Sequence, residues 1–193
     1  LPYLAATLKD LGILDCDQNQ LEKARQEFEE ALKIYYELAH KKPDIYLRYV
    51  ALTLNNLGIP EAAQNYLEEA LKIYRKLAQK ERETYLPYMA TTLNNPGILD
   101  SNKNRVKKAR KEYAEALKMY RELAQKEPET YLPDIAATLN NLGILNRAQN
   151  RPQEARKTFE EALKIFEAFA KRDPDQFSPL VERMTTLLKH LPK

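Results

Sequence analysis

Residues 138–143 read Thr-Leu-Asn-Asn-Leu-Gly, and variants of that hexad stand at three other places: TLKDLG ending at Gly12, TLNNLG at Gly58 and TLNNPG at Gly97. Behind each glycine come two alanines seven residues apart, Ala24/Ala31, Ala63/Ala70, Ala109/Ala116 and Ala155/Ala162. A unit recurring at about 46 residues is the mark of stacked like elements and not of one globular core. The pattern speaks to architecture and to a style of partner binding, and leaves the partner unnamed.

The rest of the composition agrees. Of 193 residues 31% are charged and four are Gly, with Leu, Ala, Glu and Lys alternating as in an all-helical chain. Lys and Arg total 31 against 28 Asp and Glu, a balance without the signature of a nucleic-acid or membrane binder. Cys16 is the one cysteine, so neither an internal disulfide nor a thiol metal cluster is expected, and a reducing, cytoplasmic setting fits. No apolar run reaches the length of a membrane span. Leu1 stands in mid-motif, so a longer parent chain is expected.

Each repeat reads as a helix pair. The first helices are expected to begin after Pro43-Asp44, Glu83-Thr84, Glu129-Thr130 and Pro174-Asp175, with Thr84 and Thr130 as N-caps. Pro87, Pro133 and Pro179 would then fall in the first turn, where a missing N–H costs little. The second helices carry an apolar stripe at three- and four-residue steps. Ala24, Phe28, Ala31, Leu32, Tyr35 and Leu38 form it in Leu21–Lys41, and it returns as Ala155, Phe159, Ala162, Leu163, Phe166 and Phe169. Pro43, Pro128 and Pro174 are read as stops to second helices. Leu180, Val181, Met184, Leu187 and Leu188 mark a closing helix. The expected layout is an all-α solenoid: one array over 1–193, with repeats at 1–43, 44–82, 83–128 and 129–174 and a capping helix at 175–191. A glycine in the middle of each first helix implies that a neighbour crosses there without room for a Cβ, the alanines forming the other side of the contact.

These residues resemble the tetratricopeptide repeat, whose pattern runs from a large apolar residue through Leu-Gly to Ala, an aromatic, Ala and Pro. Leu8, Leu11-Gly12, Ala24, Phe28, Ala31 and Pro43 match it, as do Leu139, Leu142-Gly143, Ala155, Phe159, Ala162 and Pro174. The long unit with its TLNNL string is similar to kinesin-light-chain repeats and to sensor arrays joined to signalling ATPases. The resemblance implies a right-handed superhelix whose concave face, lined by first helices, holds a peptide or a partner helix. Three departures stand out. Asp15, Asp100 and Asn146 occupy a position often held by Tyr. Pro96 interrupts the first helix of repeat three, at about 3 kcal/mol for an interior proline. Repeat two lacks seven residues between Gly58 and Ala63, so its first helix is expected to be short and displaced, with irregularity at 56–62.

Carried over position by position, the groove residues are Lys9, Asn55, Asn94 and Asn140, with Asn56, Asn95 and Asn141 beside them and Ile98, Ile144 and Arg147 completing the set. An amide both donates and accepts, which suits holding a peptide backbone; the same amides could instead tie neighbouring helices together. Ile13, Ile59, Ile98 and Ile144 read equally as a groove floor or as packing. Ala6, Leu52, Thr91 and Ala137 stand where a carboxylate clamp needs Lys, so capture of chaperone C-termini is not expected. The run Lys103, Arg105, Lys107, Lys108, Arg110 and Lys111 reads as a solvated helix face, without the aromatics that stack bases. The repeat-spaced tyrosines read as packing. No catalytic constellation, phosphate loop or cofactor motif appears. The expected function is non-catalytic binding of a protein or peptide partner; self-association into a homo-oligomer and service as the sensor arm of an ATPase are the rivals.

Overall fold

A proline stands at the first position of five helices in the computed structural model of the chain, which describes residues 1–61, 64–95 and 103–192, with backbone alone at 58–61, 64 and 103–105. Nine helices and no strand lie among the described residues. They divide into two compact units, Leu1–Pro96 and Gly97–Lys193. The first holds α1 (Pro2–Asp17), α2 (Leu21–Lys41), α3 (Pro43–Glu61), α4 (Gln64–Ala78) and α5 (Arg82–Asn94). The second holds α6 (Lys103–Ala124), α7 (Pro128–Ala148), α8 (Pro152–Ala170) and α9 (Pro174–Lys189). Within each unit every helix packs on the next, giving the stacked helix pairs of an all-α solenoid.

The stripes close the stack. Ala24, Phe28, Ala31, Leu32 and Tyr35 are buried on α2, and Ala155, Phe159, Ala162, Phe166 and Phe169 on α8. Gly12 and Gly143 do admit a close neighbour, and the atoms nearest to each are those of an aromatic ring and not of the alanines, while Gly97 and the surroundings of Gly58 lie outside the described residues. A Cβ on Gly12 would stand 2.7 Å from Phe28 Cε1, and one on Gly143 would stand 2.6 Å from Phe159 Cδ1. The threonine opening the hexad is buried in three of the four repeats, with its hydroxyl satisfied locally; Thr7 makes the same bond, to the Tyr3 carbonyl at 3.0 Å, but is exposed. Thr53, Thr92 and Thr138 donate to the carbonyls of Tyr49, Tyr88 and Asp134 at 2.8, 2.7 and 2.7 Å. Aromatic pairs then join each second helix to the following first helix. Tyr35 stacks on Tyr49 at 5.3 Å, Tyr120 meets Tyr131 at 6.3 Å and Phe169 meets Phe177 at 5.2 Å.

Helix ends depart from the sequence expectations. The N-caps of α5 and α7 are Glu81 and Glu127, neither giving a side-chain cap bond, so Thr84 and Thr130 lie inside the first turn. Pro87, Pro133 and Pro179 accordingly sit one turn deeper, in the helix interior. Pro43, Pro128 and Pro174 open α3, α7 and α9, where the fixed proline φ favours helix and no N–H is missed. Asp173 is a true cap, accepting from the Gln176 amide at 3.1 Å. α1 and α7 end alike. Asn19 and Asn150 adopt φ of 59° and 53°, and the next amides, of Gln20 and Arg151, return to the Asp15 and Asn146 carbonyls at 2.7 and 3.0 Å. That is a Schellman closure with asparagine in the left-handed position.

The first helix of repeat two differs from expectation. α3 runs 19 residues and is not short. Residues 62 and 63, between α3 and the described part of α4, lie outside the described residues. α5 ends at Asn94. Pro96, Ile98, Asp100 and the side chain of Ile59 lie outside the described residues.

Candidate peptide-binding surface

On α3, Arg48, Leu52 and Asn55 follow one another at four- and three-residue steps and so share a face. Thr84, Tyr88, Thr91 and Asn95 do the same along α5 and its C-cap. Between these two rows, with α4 beneath, lies a cavity of about 240 Å³ lined by Arg48, Tyr49, Leu52, Tyr74, Thr84, Tyr85 and Tyr88. Tyr74 is 2% exposed, and its hydroxyl has no hydrogen-bond partner. Burial and the neighbouring Tyr88 and Tyr85 push its pKa well above that of an ordinary phenol, so it is a neutral donor. Its ring stacks on Tyr88 at 5.5 Å, and Tyr85 completes the cluster at 6.4 Å from Tyr74 and 6.3 Å from Tyr88. Arg48 holds its guanidinium 5.6 Å from the Tyr49 ring and donates from Nε to the Ile45 carbonyl at 3.2 Å.

Farther along the same helices, Asn95 Nδ2 donates to Asn55 Oδ1 at 3.3 Å. Asn55 is buried at 8% exposure, so its oxygen ties α3 to α5. Asn56 and Asn94 are half-buried. Lys9 is drawn to Asp10 on α1, and Ile13 is exposed.

In the second unit, Asn140 and Asn141 stand half-buried on α7. Asn140 Oδ1 is shut from solvent without a partner, a vacancy worth about 1–3 kcal/mol. Ile144 is half-buried and Arg147 exposed near the end of the helix. Asp134, one and a half turns before Asn140, has its carboxyl pushed up by burial.

Asn146, at the position where Tyr is common, is 2% exposed and accepts from Arg110 at 2.6 Å. The basic run is thereby divided: Arg110 serves that bond, Lys108 pairs with Glu112 at 3.9 Å, and Lys107 and Lys111 face solvent. In the first unit, Asp15 faces Glu27, whose carboxyl is pushed up by its burial and by the hydrogen-bonded Asp15. Burial and the carboxylates of Asp17 and Asp15 push the Cys16 thiol up, away from the reactive thiolate.

The tyrosine cavity was hidden from the repeat pattern. Tyr49 and Tyr88 recur with the same spacing as core tyrosines, so spacing alone assigns them to packing. One signal was present: Arg48 replaces the proline found at the equivalent positions Pro2, Pro87 and Pro133. Among the described residues no group of three His, Cys, Asp or Glu could hold a metal, and no helix is long and apolar enough to cross a membrane.

No curated protein sequence matches the chain. Two family models do, both described as tetratricopeptide repeat, over residues 4–38 and 121–168. These segments take in α1 with most of α2, and the end of α6 through α7 and most of α8, so each match spans a first helix and the second helix paired with it. The chain thus carries tetratricopeptide repeats in both of these segments, of types similar to kinesin-light-chain repeats.

Proposed function

We propose that the first-helix faces of this chain bind an extended peptide segment of a protein partner, without catalysis. Tetratricopeptide repeats generally mediate protein–protein interaction and are typically non-catalytic. The observation that carries the reading is the α3–α5 face, where an open aromatic cavity and the Asn55–Asn95 amide pair lie along the same two helices. Rings give contact area at little entropic cost, and the remaining amide donors and acceptors suit a main chain. Asn140 stands at the corresponding position on α7. Affinity capture from the native lysate tests the reading, with the intact chain and the triple variant Asn55→Ala, Asn94→Ala, Asn140→Ala in parallel. Loss of the partner with helicity retained supports it; undiminished capture refutes it.

A further inference from the structure

We propose that the tyrosine cavity of the first unit takes a proline of a polyproline II segment. This rests on the reading of the α3–α5 face as a peptide-binding surface and names the class of peptide. At about 240 Å³ the cavity falls below the ~300–1,000 Å³ of small-molecule pockets, so it suits one residue of a longer chain. The residues that line it are Tyr49, Tyr74, Tyr85, Tyr88, Thr84, Leu52 and Arg48, which bring hydroxyls that donate or accept and a guanidinium that only donates, with no carboxylate or carboxamide side chain among them. Proline brings no N–H that would need an acceptor. A polyproline II segment makes no internal hydrogen bonds, so each of its carbonyls is free to receive one.

The Tyr74 hydroxyl is unpartnered and shut from solvent in the free chain, and a turn of its side chain toward the cavity would let such a carbonyl satisfy it. A helical ligand would leave it orphaned, because helix carbonyls are engaged internally. The rings of Tyr49 and Tyr88, 36% and 46% exposed, present faces for the pyrrolidine to pack on, as aromatic-lined grooves do for proline-rich segments. Aromatic clusters also cage quaternary ammonium groups. Here the Arg48 cation on the lining opposes a second positive charge.

The test is fluorescence anisotropy of a labelled peptide of about ten prolines, long enough for several polyproline II turns, titrated with the whole chain. A Gly-Ser peptide of equal length is the control. Saturable binding of the proline peptide alone is expected. Tyr74→Phe, which removes only the hydroxyl, should weaken it roughly three- to tenfold, and Tyr88→Ala at least tenfold. Tyr113→Phe should leave it unchanged, since that buried hydroxyl, likewise without a partner, lies in the second unit. Circular dichroism confirms that each variant keeps its helix content, and Arg48→Gln, a surface change, reports on the rim if Tyr88→Ala does not fold. Absence of binding overturns the proposal, as does equal binding by Tyr74→Phe and Tyr88→Ala, or displacement of the proline peptide by choline. If proline peptides fail while partner capture still depends on the asparagines, this inference falls and the interaction reading stands.

Discussion

Replacing Gly143 by alanine sets a methyl group 2.6 Å from Phe159 Cδ1 and 2.9 Å from Cζ. Phe159 is wholly buried, so its ring cannot swing into solvent and the clash must be relieved by moving α7 against α8. Overpacking of this kind costs about 1–3 kcal/mol, against about 1 kcal/mol gained by alanine over glycine inside a helix. The net expectation is a destabilisation of up to about 2 kcal/mol, which for a chain of this length is a fall of roughly 4–8 °C in the melting midpoint. The background Phe159→Leu removes the obstructing ring edge. In it Gly143→Ala should become neutral or stabilising, a coupling of about 1–3 kcal/mol in the double-mutant cycle. Urea unfolding followed by far-ultraviolet circular dichroism reads both. If Gly143→Ala stabilises equally in both backgrounds, the glycine is not there to admit the ring, and the packing account of the helix pair is wrong.

Two further outcomes are expected. Asn150→Val forces a β-branched residue into the left-handed conformation and should cost about 1–2 kcal/mol in urea unfolding, while Asn150→Gly should be neutral or slightly stabilising. Glu27 has a folded-state pKa raised above its unfolded value of 4.5, so its contribution is greatest below about that pH and fades as pH rises through the folded value. Glu27→Gln should therefore raise the melting midpoint at neutral pH and flatten its decline from pH 5 to 7; an unaltered pH profile would count against the Asp15–Glu27 contact.

Much of the architecture was legible because helix packing repeats with a period. The stripe from Ala24 to Tyr35 and the proline at 43 locate α2 to the residue, Leu21–Lys41. Helix starts were harder. Thr84 and Thr130 have the chemistry of a cap, yet they stand inside the first turn, behind caps at Glu81 and Glu127 that give no side-chain bond. The missing seven residues of repeat two could be counted, but not assigned to one helix. The asparagines were found by position, and their roles depend on neighbours across the stack. Asn55 has its oxygen taken by Asn95, whereas Asn140 has an oxygen unused. A linear pattern holds no information on which amide meets which.

Site-specific photocrosslinking in the native lysate asks most directly where a partner lies. A benzophenone residue at Leu52, on the α3 face, is compared with one at Lys33, exposed on α2. Adducts to a partner protein from position 52 and none from position 33 are the predicted result. Adducts from position 33 alone would contradict binding along the first helices.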